Sequence, residues 1–283
     1  MPRPDHHHCR LLATPWPEVH VVQTDSARHF ERHWHATYGL GLLDDGAQTS
    51  ASGRGQVDAY AGDLLTTNPG EVHDGRPLGA ASRRWRIVHW SAQTMASIAG
   101  PNAAQQGLAL TRPVIQDVPL RRALARLLRR LERWNAALPA ADADRLACEE
   151  SLVESIGLLL AHHATGVSER AVDSDIARVR ERLADALEAP SLAALADTAG
   201  LSRYQLLRRF ARAYGMPPHA WLLQQRAERA RGLIRGGTGL AQAAASCGFA
   251  DQSHMTRLFT RQFGFTPGAW QQATARKAGG ALQ

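Results

Sequence analysis

Along the first third of the chain, apolar residues alternate with polar ones in short runs. From about Ala36 to Trp90 these runs are interrupted by Asp45-Gly46, Ser52-Gly53-Arg54-Gly55, Gly62-Asp63 and Asn68-Pro69-Gly70, all of which favour tight turns. Within Arg84 to Trp90 the alternation is strict, setting Trp85, Ile87 and His89 on one face and Arg86, Val88 and Trp90 on the other. The pattern predicts a small all-β unit, barrel or sandwich. After Pro119 the period becomes helical: Leu120, Leu124, Leu127, Leu128, Leu131 and Trp134 line one face. A second stripe, Leu146, Leu152, Val153, Ile156, Leu159 and Leu160, runs to His162 and His163, which are expected only to end its helix. Two readings of the stripes are open: they cover the β-unit within one subunit, or they pair two subunits, and the pairing is carried forward as the expectation. A loop near Thr165 to Asp173 then precedes a helix carrying Ile176, Val179, Leu183 and Leu187.

Beyond that helix the chain repeats itself at an offset of 49 residues. Ser202 matches Asp251, Leu206 matches Met255, and Arg208, Phe210 and Arg212 match Arg257, Phe259 and Arg261. Gly215, Pro218, Ala220 and Trp221 continue the match with Gly264, Pro267, Ala269 and Trp270. Upstream, Ala196 with Ala244 and Gly200 with Gly248 fall at an offset of 48, so the second unit has one extra residue near Ala250. Such self-similarity marks a duplicated structural unit. Each copy reads as helix, tight turn, helix: Gly200 or Gly248 permits the turn, and Ser202 or Asp251 caps the next helix, Ser202 with Gln205 in capping-box spacing. Leu206 with Phe210, and Met255 with Phe259 and Phe263, fill cores at i, i+4 spacing. That leaves Tyr204, Leu207 and Arg208, and Ser253, Thr256 and Arg257, on an outer polar and basic face. Pro218 opens a connecting helix to about Ile234, some sixteen residues and hence roughly 24 Å long. A stiff connector of that length suits two helices reaching successive major grooves, roughly 34 Å apart on one side of DNA.

Charge sharpens this picture. The net charge is +7 over 283 residues, but residues 200–283 hold twelve Lys and Arg against two Asp and Glu, so the remainder of the chain is slightly acidic. A basic field on one small region suits a polyanionic partner, since neutralising phosphates releases condensed counterions. Lys277 is the only lysine, so the preference for Arg marks no particular site. No run of eighteen apolar residues and no leader-like N-terminus occur, so the expectation is a soluble cytoplasmic protein with no membrane partner. Cys9, Cys148 and Cys247 lack metal or disulfide spacing and are read as ordinary thiols.

The run from Leu192 to Trp270 resembles the DNA-binding domain of AraC/XylS-type regulators. Gly248-Phe249-Ala250-Asp251-Gln252-Ser253-His254 and Gly264-Phe265-Thr266-Pro267 carry the resemblance. It implies double-stranded DNA as partner, with the second helix of each motif in the major groove. By position, the DNA-contacting residues are then Arg203, Tyr204, Leu207 and Arg208, followed by Gln252, Ser253, His254, Thr256 and Arg257. Leu207 departs from the polar residue common at its position, and Met255 from the usual aromatic.

His33-Trp34-His35, Gly62-Asp63 and Pro69-Gly70-Glu71-Val72-His73 are similar to the cupin-type sensor domain that precedes this DNA-binding region in many family members. In cupin enzymes these positions supply metal ligands, so a cupin metalloenzyme fused to a DNA-binding domain is the alternative function. His35 is followed by Ala36, Thr37, Tyr38, Gly39 and Leu40, without the expected carboxylate, and the expectation is therefore no metal, no cofactor and no catalytic residue. No Gly-x-Ser-x-Gly elbow, P-loop or dinucleotide fingerprint occurs in a suitable context. The effector site is expected at His35, Tyr38, His73, Trp85 and His89. His6-His7-His8 is expected to be an exposed arm, and the segment before Pro17, with Pro2, Pro4 and Pro15, a non-helical strap folding over the barrel mouth.

The fold class expected is α+β: a cupin-like β-barrel with its arm over residues 1–115, a helical connector over 116–168, and an all-α tandem helix-turn-helix domain over 169–283. The chain is expected to act as a homodimeric transcription regulator answering a small-molecule effector, with RNA polymerase as a further partner if it activates.

Overall fold

The computed structural model describes residues 6–79, 82–99, 108–136, 142–166 and 174–275. Two compact units emerge, residues 1–167 with 269–283 and residues 168–268.

In the first unit the strands are β1 (His7–Leu12), β2 (Val19–Ser26), β3 (Phe30–His33), β4 (Tyr38–Asp45), β5 (Ala47–Ser52) and β6 (Gly55–Tyr60). They continue as β7 (Leu64–Thr67), β8 (His73–Pro77), β9 (Arg83–Trp90), β10 (Leu108–Leu110), β11 (Val114–Ile115) and β12 (Ala164–Gly166). Two antiparallel sheets dominate, ordered β1-β2-β9-β4-β7-β11 and β3-β8-β5-β6, and β10 pairs with β12. Period-2 alternation gives the larger sheet two different faces. Tyr38, Leu40, Leu42, Val88 and Trp90 join one core cluster, while Leu43 and Leu65 pack with Ala59, Trp85 and Val114 between the sheets. On β4 the inner positions are glycines: a Cβ at Gly39 would lie 2.5 Å from Thr67 Oγ1 and 3.3 Å from the His89 ring, and one at Gly41 would lie 2.5 Å from Ile87.

Helix α1 (Ala92–Ala99) leads towards α2 (Val118–Ala136) and α3 (Asp142–His163). The stripes read for subunit pairing close within the chain. Leu120, Leu124, Leu127, Leu128 and Leu131 share a cluster with Cys148, Leu152, Ile156 and Leu159 and with the outer sheet face. Arg86, reaching out from β9, binds Asp44 at 2.6 Å and Glu132 of α2 at 3.1 Å, tying helix to sheet. The face of α3 turned away from this core exposes Leu146 and Val153, at 58% and 47%.

The N-terminal segment is non-helical, but in place of the expected strap over the barrel mouth its residues His7–Leu12 join the larger sheet. His7–Leu12 is an edge strand in register with Val21–Ser26, and His7 Nδ1 lies 3.0 Å from Ser26 Oγ. Ladder hydrogen bonds to β2 satisfy its backbone on one side, which a free arm could not achieve. Pro2 and Pro4 lie outside the described residues, and Pro15 and Pro17 stand in the β1–β2 connection, where a missing N–H costs no ladder bond.

The second unit contains α4 (Ser174–Asp185), α5 (Leu192–Thr198), α6 (Arg203–Tyr214), α7 (Pro218–Arg235), α8 (Leu240–Ser246) and α9 (Gln252–Phe263); α10 (Pro267–Ala275) follows. Leu187, read as part of the first helix, falls past its end and is exposed. The local chemistry of the repeat is explicit. Ser202 accepts from Gln205 N while Gln205 reaches back to the Ser202 N–H, and Asp251 accepts from His254 N. Gly215 and Gly264 close α6 and α9 in the left-handed conformation, with φ of 73° and 80°. Pro218 starts α7 at its first turn, where its missing N–H goes unneeded.

Candidate functional site

Strand pairing builds a histidine cluster at one end of the first unit. His33 and His73 are direct partners across β3 and β8, and a bulge between Phe30 and His33 shifts the register just before the pair. Two residues on, His35 returns to the same side of the chain, while Trp34 points away into burial. The three rings stand at centroid separations of 4.5 Å (His33–His73), 5.0 Å (His33–His35) and 5.3 Å (His35–His73). His89 extends the cluster 5.3 Å from His35 and stacks at 5.0 Å on His20, its partner across β2 and β9.

Two of the rings are held by main-chain acceptors. His33 Nδ1 donates to the Glu31 carbonyl at 2.7 Å and His73 Nδ1 to the Glu71 carbonyl at 2.9 Å. Burial, and then the neighbouring His73, push the His33 imidazolium down to about 3, and burial lowers His73 as well. Both rings are thus neutral at neutral pH. The adjacent carboxylate is occupied elsewhere: Glu71 accepts from Arg54 Nε at 2.7 Å and from the Asn68 side chain at 3.1 Å. Burial would raise Glu71, but Arg54 outweighs it and holds the carboxyl below its usual range.

The expected effector residues do not all meet. His35, His73 and His89 come together. Trp85 lies on the same inner side as His89 but packs against Phe30 at 5.9 Å and under the Arg83 guanidinium at 4.7 Å. Tyr38 is on the opposite, helix-facing side, stacked on Trp90 and donating to the Leu108 carbonyl at 2.7 Å. His20 and Thr37, whose Oγ1 is 3.3 Å from His89 Nδ1, lie outside the expected effector set. Only the β2–β9 register reveals His20. A separate cleft of about 600 Å³ opens on the outer side of the sheet, lined by His8, Arg10, Asp25, Arg84 and Arg86 among others.

In the second unit the outer faces of α6 and α9 carry the expected DNA-contacting residues. Arg203, Tyr204, Leu207 and Arg208 are exposed, with Arg208 5.7 Å over the Tyr204 ring. On α9, Gln252, Ser253 and Arg257 are exposed, while His254 and Thr256 are half-buried, His254 edge-on to Phe249 at 5.4 Å. Leu206, Phe210, Met255 and Phe259 are fully buried beneath these faces.

A β-rich sensor unit and a duplicated, capped helix-turn-helix define the class: a ligand-responsive, DNA-binding transcription regulator. Residues 16–156 match the AraC-like ligand binding domain and residues 195–273 match a helix-turn-helix domain. The chain belongs to the AraC family. An uncharacterized HTH-type transcriptional regulator of Bacillus subtilis, YbfI, is 28% identical over 80% of this chain and 81% of its own length. The HTH-type transcriptional activator RhaS of Escherichia fergusonii is 40% identical over 28% of this chain, which spans only 29% of that relative. Apo ToxT of Vibrio cholerae shares the fold with a TM-score of 0.50 at 9% identity, over 95% of this chain and 99% of ToxT.

Proposed function

We propose that this chain binds a small-molecule effector beside His35, His73 and His89, and that occupancy alters its grip on operator DNA without chemical conversion of the ligand. The observation carrying this reading is the duplicated, capped helix-turn-helix with Arg208 and Arg257 exposed at equivalent positions, on a chain that also carries a ligand-binding unit. Arginine at such a position reads guanine bidentately in the major groove. Homodimerisation belongs to the same proposal and is assigned to the outer face of α3, where Leu146 and Val153 recur seven residues apart. The regulator works in the cytoplasm, and RNA polymerase is its partner if it activates. Among the described residues no helix is long and apolar enough to cross a membrane.

A thermal-shift screen of small metabolites against the full chain, followed by calorimetry of the best candidate with and without operator, tests the coupling. Linkage requires operator to change effector affinity by the factor by which effector changes operator affinity. Equal, non-unit factors and unchanged ligand recovered after incubation are expected. A ligand that is turned over, or one that leaves DNA affinity untouched, overturns the reading.

A further inference from the structure

We propose that the outward side of α2 is a second DNA-contacting surface, one that grips the phosphate backbone of duplex DNA and reads no bases. Six of the nineteen residues of this helix are arginines. At about 100° per residue, Arg122, Arg129 and Arg133 fall within about 40° of one another, opposite the buried Leu120, Leu124, Leu127 and Leu131. All three are exposed, and their side chains make no hydrogen bond or ion pair among the described residues. Their neighbours are engaged: Arg126 reaches Glu154 of α3 at 2.6 Å, and Arg130 lies 3.6 Å from Glu150. The one acidic residue of α2, Glu132, is turned to Arg86 of the sheet.

This placement costs the helix. Arg122 with Arg126, and Arg129 with Arg133, stand at i, i+4, where like charges repel. Arg121 and Arg122 lie near the positive end of the helix dipole, where acidic side chains are favoured, and beyond the cap Asp117 the first turn holds no acidic residue. Solubility alone would be served by mixing both signs. A stripe of one sign, kept against these penalties, fits a polyanion.

The surroundings of the stripe indicate which polyanion. A membrane surface would need the apolar face of α2, and that face is buried against the sheet and α3. A protein interface would need apolar or aromatic anchors at its centre. Between Arg122 and Arg133 this side of the helix holds only Ala125, Arg126 and Arg129. The line is roughly 16 Å long, the axial length of about five phosphates on one strand of B-DNA. A chain that already docks on DNA also presents that polyanion to the rest of itself at high local concentration. The surface acts on phosphate, so it depends neither on which bases α6 and α9 read nor on the effector.

The experiment is titration of the full chain, over a range of salt concentrations, with two duplexes several helical turns longer than the two half-sites, one enriched by selection and one scrambled. Arg122→Gln, Arg129→Gln and Arg133→Gln combined are compared with Arg10→Gln, Arg84→Gln and Arg112→Gln combined, which removes three exposed arginines elsewhere in the same unit. The α2 variant should bind both duplexes at least about 10-fold more weakly at low salt, with a slope of log affinity against log salt shallower by about 2–3. It should melt no lower than the wild type, the control should bind as the wild type does, and lysine at the same three α2 positions should restore binding. Arg208→Ala, by contrast, should relax sequence preference, which separates failure of this surface from failure of base readout. Wild-type affinity and slope in the α2 variant, an equal loss in the control, or weakening confined to the enriched duplex overturns the proposal.

Discussion

Gly200 and Gly248 occupy equivalent turns of the repeat, with φ of 61° and 73°, yet their surroundings differ. A Cβ at Gly200 meets nothing within 4 Å, whereas one at Gly248 would lie 2.5 Å from the Leu187 carbonyl and 2.9 Å from Arg226. Gly200→Ala should therefore cost about 1–2 kcal/mol, the left-handed penalty alone. Gly248→Ala should cost clearly more, because backbone must move and Arg226, which donates to the Gly248 carbonyl at 2.6 Å, is displaced. Thermal unfolding of the full chain compares them, and equal losses would show that the Gly248 turn relaxes freely. Both glycines were legible as turn residues from the repeat. Their unequal packing was not, since it depends on Arg226, a contact far along the chain. The histidines divide in the same way: the cupin-like motifs made the grouping of His33, His35 and His73 legible, but His20, stacked on His89, is found only through the β2–β9 register. Buried Arg83 left no sequence signal either, although it donates to the Ser26, Arg28 and Gly75 carbonyls and is only 1% exposed. Arg83→Ala strips a charged donor from all three carbonyls at once. At about 1–3 kcal/mol for a buried group left unsatisfied, it should lower the thermal midpoint more than any single surface Arg→Ala change, and a neutral result would mean that water replaces the guanidinium.

At the scale of elements, periodicity found the helices but not their partners. The α2 and α3 stripes have the same period whether they face a sheet or a second subunit, and only the sheet's outer Val88 and Trp90 face decides between these. The β1 strand was missed for the opposite reason: six residues between prolines, with polar His8 and Arg10 on one side, carry too little alternation to read as paired. Asp117 joins the two helices. It accepts from Leu120 N at 2.9 Å as the cap of α2 and from His163 Nε2 at 2.9 Å at the end of α3. Losing such a cap costs about 1 kcal/mol, so Asp117→Ala should lower stability by at least that amount, while Asp117→Asn retains most of it; chemical denaturation distinguishes them. For the proposed dimer, Leu146→Asp with Val153→Asp should shift sedimentation from dimer to monomer at tens of micromolar without lowering the melting temperature. A wild-type chain that is already monomeric there removes α3 from the proposal.

For the whole molecule, the concentration of twelve basic against two acidic residues in positions 200–283 was legible at once, as was the duplication that gives this charge two equivalent helix faces. What the sequence did not resolve is how far each face is committed to bases. Arg208 lies over Tyr204, whereas Arg257 has no such ring beneath it among the described contacts. The most direct measurement is selection of duplexes from a random library by the full chain, followed by titration of the enriched site with Arg208→Ala and Arg257→Ala. Two readers joined by α7 should select a bipartite site with half-sites about 10–10.5 base pairs apart. Each substitution should relax preference in one half only, at a cost of about 1–3 kcal/mol. Enrichment of a single undivided site, or substitutions that weaken all sequences equally, would contradict tandem base readout.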